Sequence, residues 1–256
     1  MNKEKTAKIL IWLLSITALV AFFFIKPIPQ DPSYHNFSDG KTVWGVANFW
    51  NVISNVPFLI VGLIGLVHLK KMHIVAEMAL AYWILFFALI LVAFGSGYYH
   101  LNPNNQTLVW DRLPMTIAFM SLFAIIIAEF VNEQRGAILL FPLLLAGLIS
   151  VFYWQWTQAN NAGDLRLYAL VQFLPIIIIP IILICYRCTF GSVSAYWWLL
   201  FAYVLAKVLE HFDGQIYAAT NHLMSGHAIK HVAAAIGMFV LVLAYRKRSI
   251  RHKTVV

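Results

Sequence analysis

Ser225-Gly226-His227-Ala228-Ile229-Lys230-His231 opens an otherwise apolar run that continues to Ala244. A run of this kind reads as a membrane-crossing helix, since about 20 apolar residues span a hydrocarbon core of roughly 30 Å. The four-residue spacing of His227 and His231 stacks both imidazoles on one face of that helix, roughly 6 Å apart, where they can grip one metal ion. Two histidines are half a site. The question is what the rest of the chain delivers to the same end of the same helix.

Seven further apolar runs accompany this one, each of about 17 to 25 residues. Of the 256 residues, 62% are hydrophobic and 11% charged, against about 25% charged in a soluble domain. The sequence therefore predicts an all-α membrane protein with helices near 9–25, 48–68, 78–100, 110–131, 137–154, 165–185, 193–212 and 226–245. A signal peptide is the competing reading of the first run, but Phe22-Phe23-Phe24-Ile25-Lys26-Pro27 offers no small-residue cleavage site. The run is read as a retained helix. Helix 2 opens with Asn48-Phe49-Trp50-Asn51-Val52-Ile53-Ser54-Asn55, and amides at membrane depth must face protein partners rather than acyl chains. Cys185 and Cys188 form a CxxC without nearby zinc-ligand partners and are read as bystanders.

The net charge of +8 is a topological signal and requires no nucleic-acid partner. The amino terminus, the 69–77, 132–136 and 186–192 loops and the tail hold twelve Lys and Arg, while the opposite side holds Lys26, Lys41, Arg112 and Arg166. By the positive-inside rule both termini are expected to be cytoplasmic. Helix 3 then emerges on the exoplasmic face at Ser96 and His100, helix 4 enters there at Asp111, and helix 8 enters there at His227 and His231.

A hydrolytic zinc takes three protein ligands and a water, and neutral imidazole is a favoured donor. His100, His227 and His231 supply the three. The metal makes its water acidic enough to furnish hydroxide near neutral pH. Asp111 is placed to deprotonate that water and return the proton to a leaving group. Ser96, one helical turn before His100, is placed to hold the water or to donate to a developing oxyanion. Any one of these histidines alone reads as a satisfied structural group, and an HxxxH pair can also ligate haem or relay protons. Their convergence carries the metal reading, because ionisable groups at membrane depth are costly and functional by default. On helix 7, Lys207, Glu210, His211 and Asp213 form a further polar cluster. With Lys230 as counter-charge, Lys207, Glu210 and Asp213 read either as groups that fix the imidazole tautomers or as internal charge compensation.

Together, Ser96-x3-His100, Asp111 within Trp110-Asp111-Arg112-Leu113-Pro114-Met115, Gly226-His227-x3-His231 and Asn48-Phe49-Trp50-Asn51-x2-Ser54-Asn55 resemble the alkaline ceramidase family. That family belongs to a wider group of seven-helix zinc membrane hydrolases that includes adiponectin-receptor relatives. The resemblance covers about residues 31–245. It implies a seven-transmembrane-helix core formed by helices 2–8, zinc on the three named histidines, Asp111 and Ser96 as catalytic partners, and hydrolysis of the ceramide amide to sphingoid base and fatty acid. Residues 1–30, a cytoplasmic tail and an extra helix, lie outside that core, as does the basic tail 246–256. The family also carries a calcium site, whose spacing Asp31 and Asn36 match. Tyr34 and Asn48 stand where its acidic ligands are expected, which weakens any calcium binding.

The sequence thus points to a zinc-dependent intramembrane hydrolase of ceramide or a related N-acyl lipid, with its active site towards the exoplasmic face. Its partners are the bilayer and a lipid entering from the outer leaflet, with Tyr98, Tyr99 and Trp110 around the headgroup region or in the interfacial aromatic belt. The alternative class is a receptor-like or transport membrane protein with a structural metal. Transport predicts paired repeats with broken helices, which the sequence lacks, and a structural zinc has no use for the Asp111 carboxylate. No feature of the sequence bears on oligomeric state.

Overall fold

The computed structural model describes residues 3–191 and 193–249. Arg251, Lys253 and His252 of the tail lie outside the described residues. The helices are α1 (Lys3–Phe24), α2 (Phe49–Ile53), α3 (Val56–His68), α4 (Ala79–Leu101), α5 (Asn105–Ile126), α6 (Glu133–Ala159), α7 (Arg166–Cys185), α8 (Ser194–His211), α9 (Asp213–Ala219) and α10 (Gly226–Lys247). Among the described residues there is no strand beyond an isolated bridge between Val43 and Val46. Among the described residues seven stretches are long and apolar enough to cross a membrane: Lys3–Phe24, Phe49–Lys71, Ala76–Leu101, Asn105–Val131, Glu133–Ala159, Arg166–Cys185 and Gly226–Lys247. The chain is an all-α, multi-pass membrane protein.

The eighth expected span, α8, is less apolar because it carries Lys207, Glu210 and several tyrosines and tryptophans. It nevertheless runs the length of the bundle beside α10. Near its start Tyr196 bonds Glu129 at one end of the bundle, and near its finish Glu210 pairs with Lys230 at the other. α1 is peripheral. It packs on α7, buries only Ala7 and leaves Trp12, Phe23 and Phe24 exposed, as suits a helix bathed in lipid.

Several boundaries differ from expectation, each for a local reason. Helix 2 is broken at Ser54-Asn55 into α2 and α3. Pro57 sits in the first turn of α3, where its missing N–H costs nothing, and the Ser54 hydroxyl and Asn55 amide bond back to the Asn51 carbonyl. α5 starts at Asn105, earlier than expected, because Asn104 and Thr107 form a reciprocal capping box. The end of helix 4 widens into a π-helical turn at Ile127–Val131. α6 extends beyond both expected ends, and helix 7 stops at His211, so that Asp213 opens the separate α9.

The end of the bundle remote from the histidines is closed by a buried polar knot that the sequence reading missed. Glu129, in the π-helical turn, accepts two bonds from Arg248, at 2.6 and 2.8 Å, and one from the Tyr196 hydroxyl at 2.7 Å. Tyr82 is a further donor, and the Cys188 thiol lies 3.8 Å away. Arg248 therefore does not belong to an exposed basic tail. Its guanidinium stacks 3.7 Å over Phe190 and ties the His73 carbonyl at 2.7 Å. Removing one partner of a fully buried ion pair strands the other. Arg248→Ala is expected to cost about 3–5 kcal/mol of stability, measured as a lowered melting temperature of purified protein in detergent.

Candidate active site

The opposite end gathers three helix termini. α4 delivers Ser96 and His100 in its last two turns, α5 delivers Asp111 in its second turn, and α10 delivers His227 and His231 in its first two. α4 and α5 approach closely at Gly95, where a Cβ would fall 2.0 Å from the Trp110 carbonyl oxygen. That contact sets Ser96 against Asp111, whose carboxylate interacts with the serine side chain. Ser225 caps α10 through the Ala228 N–H at 3.2 Å.

The three imidazoles meet. Their ring centroids lie 5.0 Å (His100–His227), 5.1 Å (His100–His231) and 5.1 Å (His227–His231) apart. One ring nitrogen of each lies within 4.8 Å of the others, and all three side chains are buried. The three can hold a metal ion. The hydrogen bonds fit that use. His100 Nδ1 is buried with no partner, and His231 Nδ1 lies 2.8 Å from the Ser54 hydroxyl, which leaves its Nε2 for the cluster. A second bond of this kind on a ligating imidazole fixes its tautomer and ring angle.

Of the groups expected to do this, Lys207, Glu210 and Lys230 form an ion triad, with Lys207 2.8 Å from Glu210 and Lys230 bonded to the other Glu210 oxygen. Among the described residues the triad makes no hydrogen bond to an imidazole. Asp213 acts separately. Its carboxylate accepts from the His227 backbone N–H at 2.7 Å and from the Ser38 N–H at 3.0 Å. It thereby ties the start of α10 to the loop before α2.

That loop covers the site. The Phe37 ring lies 4.7 Å from His100 and 4.5 Å from His227. Asn48 donates to the His100 carbonyl at 2.8 Å, and Asn51 donates to the Asp39 carbonyl at 2.9 Å. Ser54 and Phe37 were missed from sequence. Their only signals are a serine among the amides opening α2 and a lone phenylalanine in a polar loop. Asp31 and Asn36 stand at the two ends of an exposed 3-10 turn, Pro32–His35. Asp31 accepts from the Ser33 N–H at 2.8 Å, and this bond holds its carboxyl below the usual range. Of the three aromatics, Tyr98 and Trp110 are exposed, whereas Tyr99 is buried and bonds His35 at 2.9 Å.

A cavity of about 410 Å³ leads away from the cluster. Ser96, Asp111, Lys230 and His231 line its polar end. α5 continues the wall as one stripe, Met115, Ala118, Phe119, Leu122 and Ile126. From Asp111 to Ile126 that stripe measures roughly 22 Å at 1.5 Å per residue. Its floor includes Tyr196, whose hydroxyl belongs to the Glu129 knot. A long apolar shaft ending at a carboxylate, a serine and a histidine cluster suits a lipid tail with a reacting carbonyl at its head.

A family model described as Ceramidase matches residues 39–254. No curated protein and no solved structure matches the chain.

Proposed function

The chain belongs to the ceramidase family, and from that premise we propose that it is a zinc-dependent intramembrane hydrolase that cleaves the amide of ceramide or a related N-acyl lipid. The observation that carries the reading is the convergence of His100, His227 and His231, with His231 lining the polar end of an apolar cavity. The three imidazoles would hold zinc, which when bound supplies a Lewis acid and lowers the pKa of water. Calcium is not part of the proposal, because Asp31 spends one oxygen on its own turn and Tyr34 and Asn48 bring no negative charge.

The residues of the chain divide the remaining work. The shaft holds the acyl chain and sets the scissile carbonyl at the Ser96–Asp111 end. Asp111 accepts the proton released as a water oxygen joins the acyl carbon. It returns a proton to the nitrogen as the C–N bond breaks, giving a free amine and a fatty acid. Ser96 donates a hydrogen bond to the oxygen on which charge builds. Ser54 and Asn48 position His231 and the end of α4, and Phe37 keeps bulk water off the cluster.

We further propose that both termini face the cytoplasm and that the site faces the exoplasmic side. The charge asymmetry supports this, as does the end-to-end course of α8, which completes an even number of crossings. Residues 31–245 are proposed as the hydrolase core, with α1 as an addition at its edge. The test is ceramide hydrolysis by purified protein. Activity should vanish on complete zinc removal and return when zinc is restored. Hydrolysis that persists in zinc-free protein overturns the reading.

A further inference from the structure

Arg112 is a buried cation that the hydrolysis of a neutral lipid does not use. It is 5% exposed and lines the same cavity as its neighbour Asp111. Nη2 donates to Gln30 at 2.6 Å, whereas Nη1 is buried with no hydrogen-bond partner. The guanidinium carbon lies 4.2 Å over Trp154, 4.6 Å over Tyr168 and 5.7 Å over Tyr34. Among the described residues no carboxylate forms an ion pair with it; the four pairs present use Asp164, Glu210 twice and Glu129. The adjacent Asp111 bonds Ser96 and feels the Arg112 charge without forming an ion pair with it.

Burying a guanidinium is costly unless an anion or hydrogen bonds replace its water. The aromatic box offsets part of that cost, and Gln30 satisfies one nitrogen. Nη1 remains an unmet donor on a side chain that borders a cavity whose lining carries Arg112, Lys207 and Lys230 against Asp111 and Glu210. The ligand chemistry that meets such a donor is an anionic oxygen, and arginine is the side chain best suited to carboxylate and phosphate.

We propose that Arg112 defines a second substrate class, lipid amides whose amine half bears an anionic group. That group sits on Arg112 while the amide lies between Ser96 and Asp111 and the acyl chain fills the shaft. The inference rests on the hydrolase reading. One water is consumed, its oxygen joins the acyl carbon, and the nitrogen leaves as the amine of the anionic headgroup.

The experiment uses the purified zinc-loaded protein and three palmitoyl amides, N-palmitoyl-glycine, N-palmitoyl-ethanolamine and palmitoyl ceramide, with Arg112→Gln and Arg112→Lys. Wild type should favour the glycine conjugate over the ethanolamine conjugate by about tenfold in kcat/KM, with the difference in KM. Arg112→Gln should erase that preference, the glycine conjugate losing about tenfold more than ceramide or the ethanolamine conjugate, and Arg112→Lys should keep part of it. Equal loss on all three substrates, or no preference in wild type, overturns the proposal and makes Arg112 a structural pillar. Palmitate inhibition that depends on Arg112, without any headgroup preference, also overturns it, by assigning the anion to the fatty-acid product. Should wild type cleave no amide at all, the hydrolase reading fails. Binding of N-palmitoyl-glycine that weakens in Arg112→Gln then still supports the anion site, and unchanged binding ends it.

Discussion

Purified His227→Ala protein is expected to carry zinc at close to zero occupancy and to hydrolyse ceramide at least about 10³-fold more slowly than wild type. The substitution removes one of three converging nitrogens and the ring that packs 4.5 Å from Phe37. It leaves the fold around it intact, because the backbone N–H of residue 227 donates to Asp213 and the Ala228 N–H donates to the Ser225 cap. Loss of metal is therefore separable from loss of structure. Metal analysis beside circular dichroism checks both, and full zinc occupancy in this variant contradicts the ligand assignment.

Asp111→Ala divides a catalytic metal from a structural one. The carboxylate lines the cavity beside Ser96 and is not one of the three ligands that cluster. The variant is expected to keep its zinc and to lose about 10²–10⁴-fold in kcat, the usual worth of a positioned acid–base group. Asp111→Asn, nearly identical in shape, should lose as much, since it packs alike and cannot take a proton. Undiminished turnover in either variant would remove Asp111 from the acid–base role. Zinc loss in both would move Asp111 into the ligand set.

The histidine cluster was legible from sequence because two different regularities point to it. The i, i+4 spacing of His227 and His231 fixes a helical face, and the lipid's demand for unbroken apolar runs fixes which helix ends share a side. Ser96, His100 and Asp111 followed from that topology. Contacts with no periodic signature did not follow. Ser54 reaches His231 only because α2 ends in a turn that aims its hydroxyl across 177 residues of chain. Asp213 was grouped with Glu210 by their spacing on one helix, but α8 ends between them and the two carboxylates part. Glu129 was legible in principle, as a lone acid in an apolar run. Its partner Arg248 was hidden among the charges of the tail.

That last pair sets an order of events during synthesis. Arg248 lies 119 residues after Glu129, so at about 5–20 residues per second the ribosome delivers it roughly 6–24 seconds later. Until then Glu129 is without its cation, and the nascent bundle cannot close around it. The base of the lipid shaft is thus sealed only once translation has passed α10, the same segment that brings two of the three imidazoles.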